Sequence, residues 1–322
     1  MTSAKTALPP ATGAIDAGGA APAAPGLGSL APITGILAAW RLLRPRHWVK
    51  NLFVFAALLF TPAAMSLANL RRAATVFAMF CLVSSAIYIV NDILDRDKDR
   101  LHPQKRFRPL AAGALPVAVA WLLFAAALAG ASILGLFVAR EVAWVLAVYG
   151  ALNILYSLRL KQMAIIDVMT ISVGFLMRII AGAFAVAATA SPWLLECVGL
   201  IALFLAIAKR RDDLVLKLPQ AQRGSLAGYN TRYLDLCICL VLSCLLSVYM
   251  VYSATPEVIA RLGTEKLYYT APFVLGGIMR YLQLTIVEER SGSPTEILTA
   301  DRFMLGCAGA WLVVFLLVVY GR

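Results

Sequence analysis

Between Tyr88 and Pro109 the chain reads YIVNDILDRDKDRLHPQKRFRP, and four of its 17 acidic residues fall between Asp92 and Asp99. The spacing Asn91-Asp92-x-x-Asp95-x-x-x-Asp99 is helical: residues 91, 95 and 99 lie one turn apart on one face, with 92 beside them. Carboxylates so placed repel one another and weaken an isolated helix, unless a divalent cation sits between them. An all-oxygen set of this kind suits Mg²⁺, which keeps several waters and binds through one or two carboxylates plus substrate phosphates. Asn91, Asp95 and Asp99 are therefore candidate metal ligands, and Asp92, Asp95 and Asp99 candidate catalytic residues.

Cations stand in segments that could meet a phosphate held there. The stretch RPRHWVKN brings Arg46, Lys50 and Asn51. YSLRLK brings Tyr156, a candidate for orienting a ligand oxygen, and Lys161. KRRDD brings Lys209, Arg210 and Asp213. Asp167 and Arg178, eleven residues apart on one helical face, are ionisable groups within an apolar run. Groups in that position are functional candidates because their desolvation is costly. Arginine forks match phosphate oxygens bidentately and lysine acts as a point charge. The same cations would also serve membrane topology, and Asp167 and Arg178 would serve pairing between helices. Spacing alone leaves that choice open.

The elements that must position these residues are membrane helices. Of 322 residues, 61% are hydrophobic and 14% charged, against about 25% charged in a soluble domain. Apolar runs of spanning length, roughly 20 residues, occur at about 49–66, 72–93, 114–137, 141–158, 163–186, 192–209, 233–254, 267–287 and 301–320. The expected fold is an all-α polytopic bundle of about nine transmembrane helices. Residues 34–48 read as an interfacial helix and residues 1–33, rich in Ala, Pro and Gly, as a disordered cytoplasmic tail. The six cysteines lie in apolar stretches without metal-site spacing, so neither zinc nor disulfides are expected. The net charge of +12 is distributed between apolar runs, which points to topology, anionic lipid and phosphate ligands rather than nucleic acid.

These motifs resemble the UbiA-type intramembrane prenyltransferase superfamily. The segments RPRHWVKNLFVFA (44–56), NDILDRDKDRLHPQKRFRPLAAG (91–113), YSLRLKQMAIIDVMTISVGFLMRIIAGA (156–183) and FLAIAKRRDDL (204–214) resemble one branch of it. That branch joins 5-phosphoribosyl diphosphate to decaprenyl phosphate for cell-wall arabinan precursors. The resemblance covers about 34–320, so residues 34–322 are expected to form one catalytic transmembrane domain. It implies a polar cavity open to the cytoplasm and a lateral opening to lipid. It also implies Mg²⁺ on a diphosphate held by the aspartate motif. Lys50, Lys161, Arg178, Lys209 and Arg210 would then meet phosphates, and Tyr156 and Asp167 would orient the sugar or a cation. One departure stands out: typical members carry a second D-x-x-x-D motif, and here Asp213 is followed four residues on by Lys217. Two other readings stay open, an aromatic prenyltransferase of the same superfamily and a membrane transporter. Oligomeric state, a homo-oligomer included, stays open too.

Counting Lys and Arg on alternate sides of nine spans gives 21 on the side of the N-terminus and 6 on the other, with Arg178 and Arg280 inside spans. The excess marks the cytoplasmic side of a plasma membrane and puts the C-terminus outside. A topology reporter fused after Arg322 is expected to be active outside the cytoplasm, and one inserted at residue 105 inside it. Activity of both on one side would refute the nine-span arrangement.

Overall fold

The computed structural model describes residues 32–102, 105–216, 224–288 and 300–321. The expected tail and Lys217 therefore lie outside the described residues, apart from 32 and 33 of the tail. The described residues form helices without strands. They are α1 (Pro32–Leu43), a 3₁₀ segment (Pro45–Phe55) running into α2 (Ala56–Leu59), α3 (Leu67–Leu94), α4 (Arg96–Arg100), α5 (Val117–Gly135) and α6 (Arg140–Leu158). There follow α7 (Ile166–Ala185), α8 (Pro192–Val215), α9 (Thr231–Ala254), α10 (Pro256–Leu262), α11 (Ala271–Leu282) and α12 (Arg302–Tyr320). Among these residues eight stretches are long and apolar enough to cross a membrane: α3, α5, α6, α7, α8, α9, Lys266–Val287 around α11, and α12.

The expected first span, 49–66, is not one regular helix. Its place is taken by the 3₁₀ segment and α2, which run antiparallel to α3. Arg44 bonds Asp92, Trp48 bonds Ser85, Asn51 bonds Cys81, Phe55 packs on Phe77 and the Ala64 carbonyl accepts from Asn69. At ~2.0 Å per 3₁₀ residue and ~1.5 Å per α residue, Pro45–Leu59 covers roughly 28 Å, close to the hydrocarbon thickness. The three-residue repeat explains the choice of helix. It stacks Asn51 and Val54 on one stripe, and both are buried.

Four buried clusters build the core: one of the 3₁₀ segment, α3 and α6 around Val54 and Phe80, one of α7 and α8 around Ile179, one of α8, α9 and α12 around Phe315, and one of α1, α3 and α5 around Leu42 and Ile89. The outer faces of α5, α6, α9 and α12 stay apolar, with Leu122, Trp144, Leu240 and Leu317 exposed. Lipid rather than water suits such a surface. The α11 span ends in a π-turn, Gln283–Val287, whose Thr285 carbonyl accepts from Arg211 at 2.9 Å while the same guanidinium pairs with Asp235. That one side chain ties α8 to α9 and α11.

The 3₁₀ segment approaches α7 so closely that any Cβ on Gly182 would overlap the Val54 carbonyl. Gly182→Ala is expected to push the segment off α7 and lower the apparent Tm in detergent by roughly 3–10 °C, the range of ordinary overpacking. Unchanged melting would show that the contact is not close.

Candidate active site

The acidic motif occupies the end of α3 and the short α4, and the structure divides it into two faces. Asp92 and Asp99, two turns apart, are both buried. Arg108 Nη1 lies 3.1 Å from Asp92 Oδ1 and 2.6 Å from Asp99 Oδ2, and Arg44 Nη2 lies 2.5 Å from Asp92 Oδ1. A carboxylate removed from water needs such partners. Of the three positions expected to share one face, Asn91, Asp95 and Asp99, the last is paired with Arg108. Asp99 turns with Asp92 towards arginines supplied by the flanking segments. Asn91 and Asp95 remain half-buried on the neighbouring face, with Lys161 Nζ 3.9 Å from Asp95 Oδ2. Among the described residues no group of three or more His, Cys, Asp or Glu is arranged as a metal site. The donor set that is left, one amide oxygen and one carboxylate, fits Mg²⁺ when phosphate oxygens and water complete the shell.

Cations converge near this edge from three segments. Arg44 stacks over the Tyr88 ring at 4.8 Å, and His47 meets the other side of the same residue edge-on at 5.2 Å. His47 lies among the charges of Lys50, Arg44, Lys209 and Arg108, and Lys50 among those of Lys209 and Arg178. Tyr156 is close enough to interact with both Tyr88 and Arg210. Lys50 and Arg46 are exposed at this end of the 3₁₀ segment. Of the expected site residues, the structure thus brings Lys161 to Asp95, Lys50 to Lys209 and Tyr156 to Arg210.

Two of the expected phosphate ligands, Arg178 and Arg210, are held by internal partners. Arg178 donates from Nε to Asn51 (2.8 Å), from Nη1 to the Gly174 carbonyl (2.6 Å) and from Nη2 to the Tyr149 hydroxyl (2.8 Å). Its guanidinium also lies over the Phe80, Tyr149 and Phe175 rings. Asn51 in turn reaches Cys81 and Ser84. Arg178 and Asn51 thereby bind the 3₁₀ segment, α3, α6 and α7 together. Arg210, only 1% exposed, spends Nε on Asp167 (2.7 Å) and Nη1 on Asp213 (2.9 Å).

Asp167 has no exposure at all. Besides Arg210 it accepts from Ser225 Oγ (3.0 Å) and the Tyr229 hydroxyl (2.7 Å). It joins α7, α8 and the 224–230 loop. Burial and then the bond to Asp167 push the Tyr229 hydroxyl above its ordinary range, so it remains a proton donor at any physiological pH. Arg44, Arg108, Ser225, Tyr229 and Tyr149 were not among the expected site residues. Their roles depend on pairing across 9 to 64 residues, which no local periodicity signals.

A model of the UbiA prenyltransferase family matches residues 51–307. The decaprenyl-phosphate phosphoribosyltransferase of Corynebacterium glutamicum is 34% identical over 289 residues, 87% of this chain and 86% of that protein. The decaprenyl-phosphate phosphoribosyltransferase of Mycolicibacterium smegmatis is 32% identical over 293 residues, 87% of this chain and 91% of that protein. Among solved structures, a UbiA homolog from Archaeoglobus fulgidus bound to GPP and Mg²⁺ superposes with a TM-score of 0.66 at 19% identity, covering 88% of this chain and 99% of that one.

Asp92 and Asp95 should separate in a folding assay. Asp92→Ala strands Arg44 in the interior, and breaking a buried pair costs about 3–5 kcal/mol, so a much lower Tm and yield are expected. Asp95→Ala, at a half-exposed position, should melt like the unaltered protein. Equal melting of the two variants would contradict the division of the motif into two faces.

Proposed function

The chain belongs to the UbiA prenyltransferase family, and from that premise we propose that it transfers 5-phosphoribose from phosphoribosyl diphosphate to decaprenyl phosphate, releasing diphosphate. It is a multi-pass membrane protein. The observation that carries this reading is the extended identity to decaprenyl-phosphate phosphoribosyltransferases over 87% of the chain. The geometry supports it from the second arm of the site. There Asp213 is engaged by Arg210 beside Lys209, where an aspartate pair would grip a second metal in a two-motif prenyltransferase. An aromatic prenyltransferase is correspondingly less favoured, and so is a transporter.

In this reading Asn91 and Asp95 would hold Mg²⁺, which neutralises charge on the diphosphate. Lys161, at the same edge, meets the diphosphate directly. Lys50 and Lys209 take the additional 5-phosphate and the lipid phosphate, and Tyr156 orients the ribose. The bond from the anomeric carbon to the diphosphate oxygen breaks as an oxygen of the lipid phosphate bonds to that carbon. Positive charge grows on the ring and negative charge on the departing diphosphate. The incoming phosphate monoester is already anionic, so no strong general base is needed. Catalysis rests on positioning and on charge stabilisation in a low-dielectric site. The site faces the cytoplasm, as the 21-to-6 split of basic residues supports.

The test uses purified protein, labelled phosphoribosyl diphosphate, decaprenyl phosphate and Mg²⁺, with label counted in the organic phase. Product is expected, abolished by EDTA and restored by Mg²⁺. Asp95→Ala should lose most of the activity, and Lys209→Ala should weaken binding of the phosphorylated sugar by roughly ten- to a hundredfold, the value of one charged hydrogen bond. Product from polyprenyl diphosphate and an aromatic acceptor, with none from phosphoribosyl diphosphate, would overturn the phosphoribosyl assignment.

A further inference from the structure

The loop between α6 and α7 contains one residue in a conformation its side chain disfavours. Ile165 has φ 70° and ψ −53°, and Ile166 N donates to the Ala164 carbonyl at 2.8 Å. This is a γ-turn of the rare, strained hand, here centred on a β-branched residue. Such strain persists only where the surroundings over-determine it.

The surroundings come from the α8–α9 loop. The Ile165 N–H donates to the Tyr229 hydroxyl at 2.5 Å, and that hydroxyl donates to Asp167 Oδ1 at 2.7 Å. Asp167 is itself fixed by Arg210 and Ser225. The Gly224–Gly228 turn presses on the same loop: a Cβ on Gly228 would lie 2.6 Å from Ala164 Cβ, and one on Gly224 would touch Gln162. At its other side the loop carries Lys161, in the 3₁₀ turn Leu160–Gln162, with its ammonium 3.9 Å from Asp95. Three residues separate Lys161 from Ile165. Rotation of Ile165 out of the γ-turn must therefore move Lys161.

We propose that Tyr229 is a positioning residue: its hydroxyl holds the strained turn at Ile165 and thereby keeps Lys161 at the diphosphate-binding edge of the site. The proposal rests on the reading of Asn91, Asp95 and Lys161 as that edge. Tyr229 touches no substrate and acts through the loop. Without its hydroxyl the Ile165 N–H loses its acceptor and the turn relaxes to a negative φ. Lys161 is then carried away from Asp95.

The experiment is a double-mutant cycle of Tyr229→Phe and Lys161→Ala, read as separate KM values for the two substrates. Tyr229→Phe is expected to raise KM for phosphoribosyl diphosphate about tenfold, the scale of one weakened charged contact. The lipid KM and kcat should stay within about twofold. In the Lys161→Ala background the same change should add nothing, because residues acting as one unit are non-additive. Ile165→Gly, which adopts positive φ without strain, should recover most of the loss in Tyr229→Phe. Equal effects of Tyr229→Phe in both backgrounds, or no effect, would overturn the proposal. So would a Tyr229→Phe protein that fails to fold even with Ile165→Gly, since Tyr229 would then belong to the fold alone. Hydrogen exchange needs no turnover: amides of 159–165 should exchange faster in Tyr229→Phe than in the unaltered protein, and unchanged exchange refutes the latch. An unaltered protein that makes no product from phosphoribosyl diphosphate defeats the functional reading instead, and exchange then decides the latch by itself.

Discussion

A charge taken into this bundle has to be answered inside it, because lipid offers neither water nor counterions. Asp167 is answered by a guanidinium and two hydroxyls, and Asp92 by two arginines. Arg178 is answered without any carboxylate, by an amide, a carbonyl, a phenol and three aromatic faces. Each of these charges has at least one answer from another element, so each is also a cross-link: Arg44 to Asp92 spans 48 residues, Arg210 to Asp167 spans 43, and Arg178 to Asn51 spans 127. The requirement sorts the charged residues into two kinds. Those fully satisfied within the protein hold the helices in register. Those left partly exposed near the same end (Asp95, Lys161 and Lys50 among them) have capacity for a ligand.

That sorting explains what could be read from the sequence. The positions of the later spans were legible because a run of roughly 20 apolar residues has one physical use; the expected 72–93 lies within Leu67–Leu94, and 233–254 nearly coincides with Thr231–Ala254. The first span was misread in kind, since hydropathy does not distinguish an α-helix from a 3₁₀ rod. The approach of Lys161 to Asp95 agrees with the clustering of charge on one side of the membrane. The split within the acidic motif was not legible. Helical periodicity places 91, 95 and 99 together, but burial of Asp99 is decided by Arg108, in a loop whose path periodicity does not describe. Asp167 was recognised as unusual for the right reason, costly desolvation, and that cost is met by Arg210, Ser225 and Tyr229. Tyr229 left no signal at all, because a tyrosine in a polar loop is ordinary until its hydroxyl is seen between Ile165 and Asp167.

The balance of charge at the site bears on which anions it can gather. On the first arm two of the aspartates are neutralised by arginine, and on the second Asp213 is neutralised by Arg210. Beside these pairs stand three lysines, Lys50, Lys161 and Lys209, with Lys161 drawn to Asp95. Two like charges 4 Å apart repel by about 4 kcal/mol at an effective dielectric of 20. A diphosphate, a 5-phosphate and a lipid phosphate in one recess would therefore raise a barrier of several such terms. Cations distributed along the recess lower it without the second acidic motif, which would add charge of the same sign as the ligands. A prenyl diphosphate meeting a neutral aromatic ring makes no comparable demand. The replacement of carboxylate by lysine and arginine on the second arm is thus the change expected when both reacting partners bring phosphate.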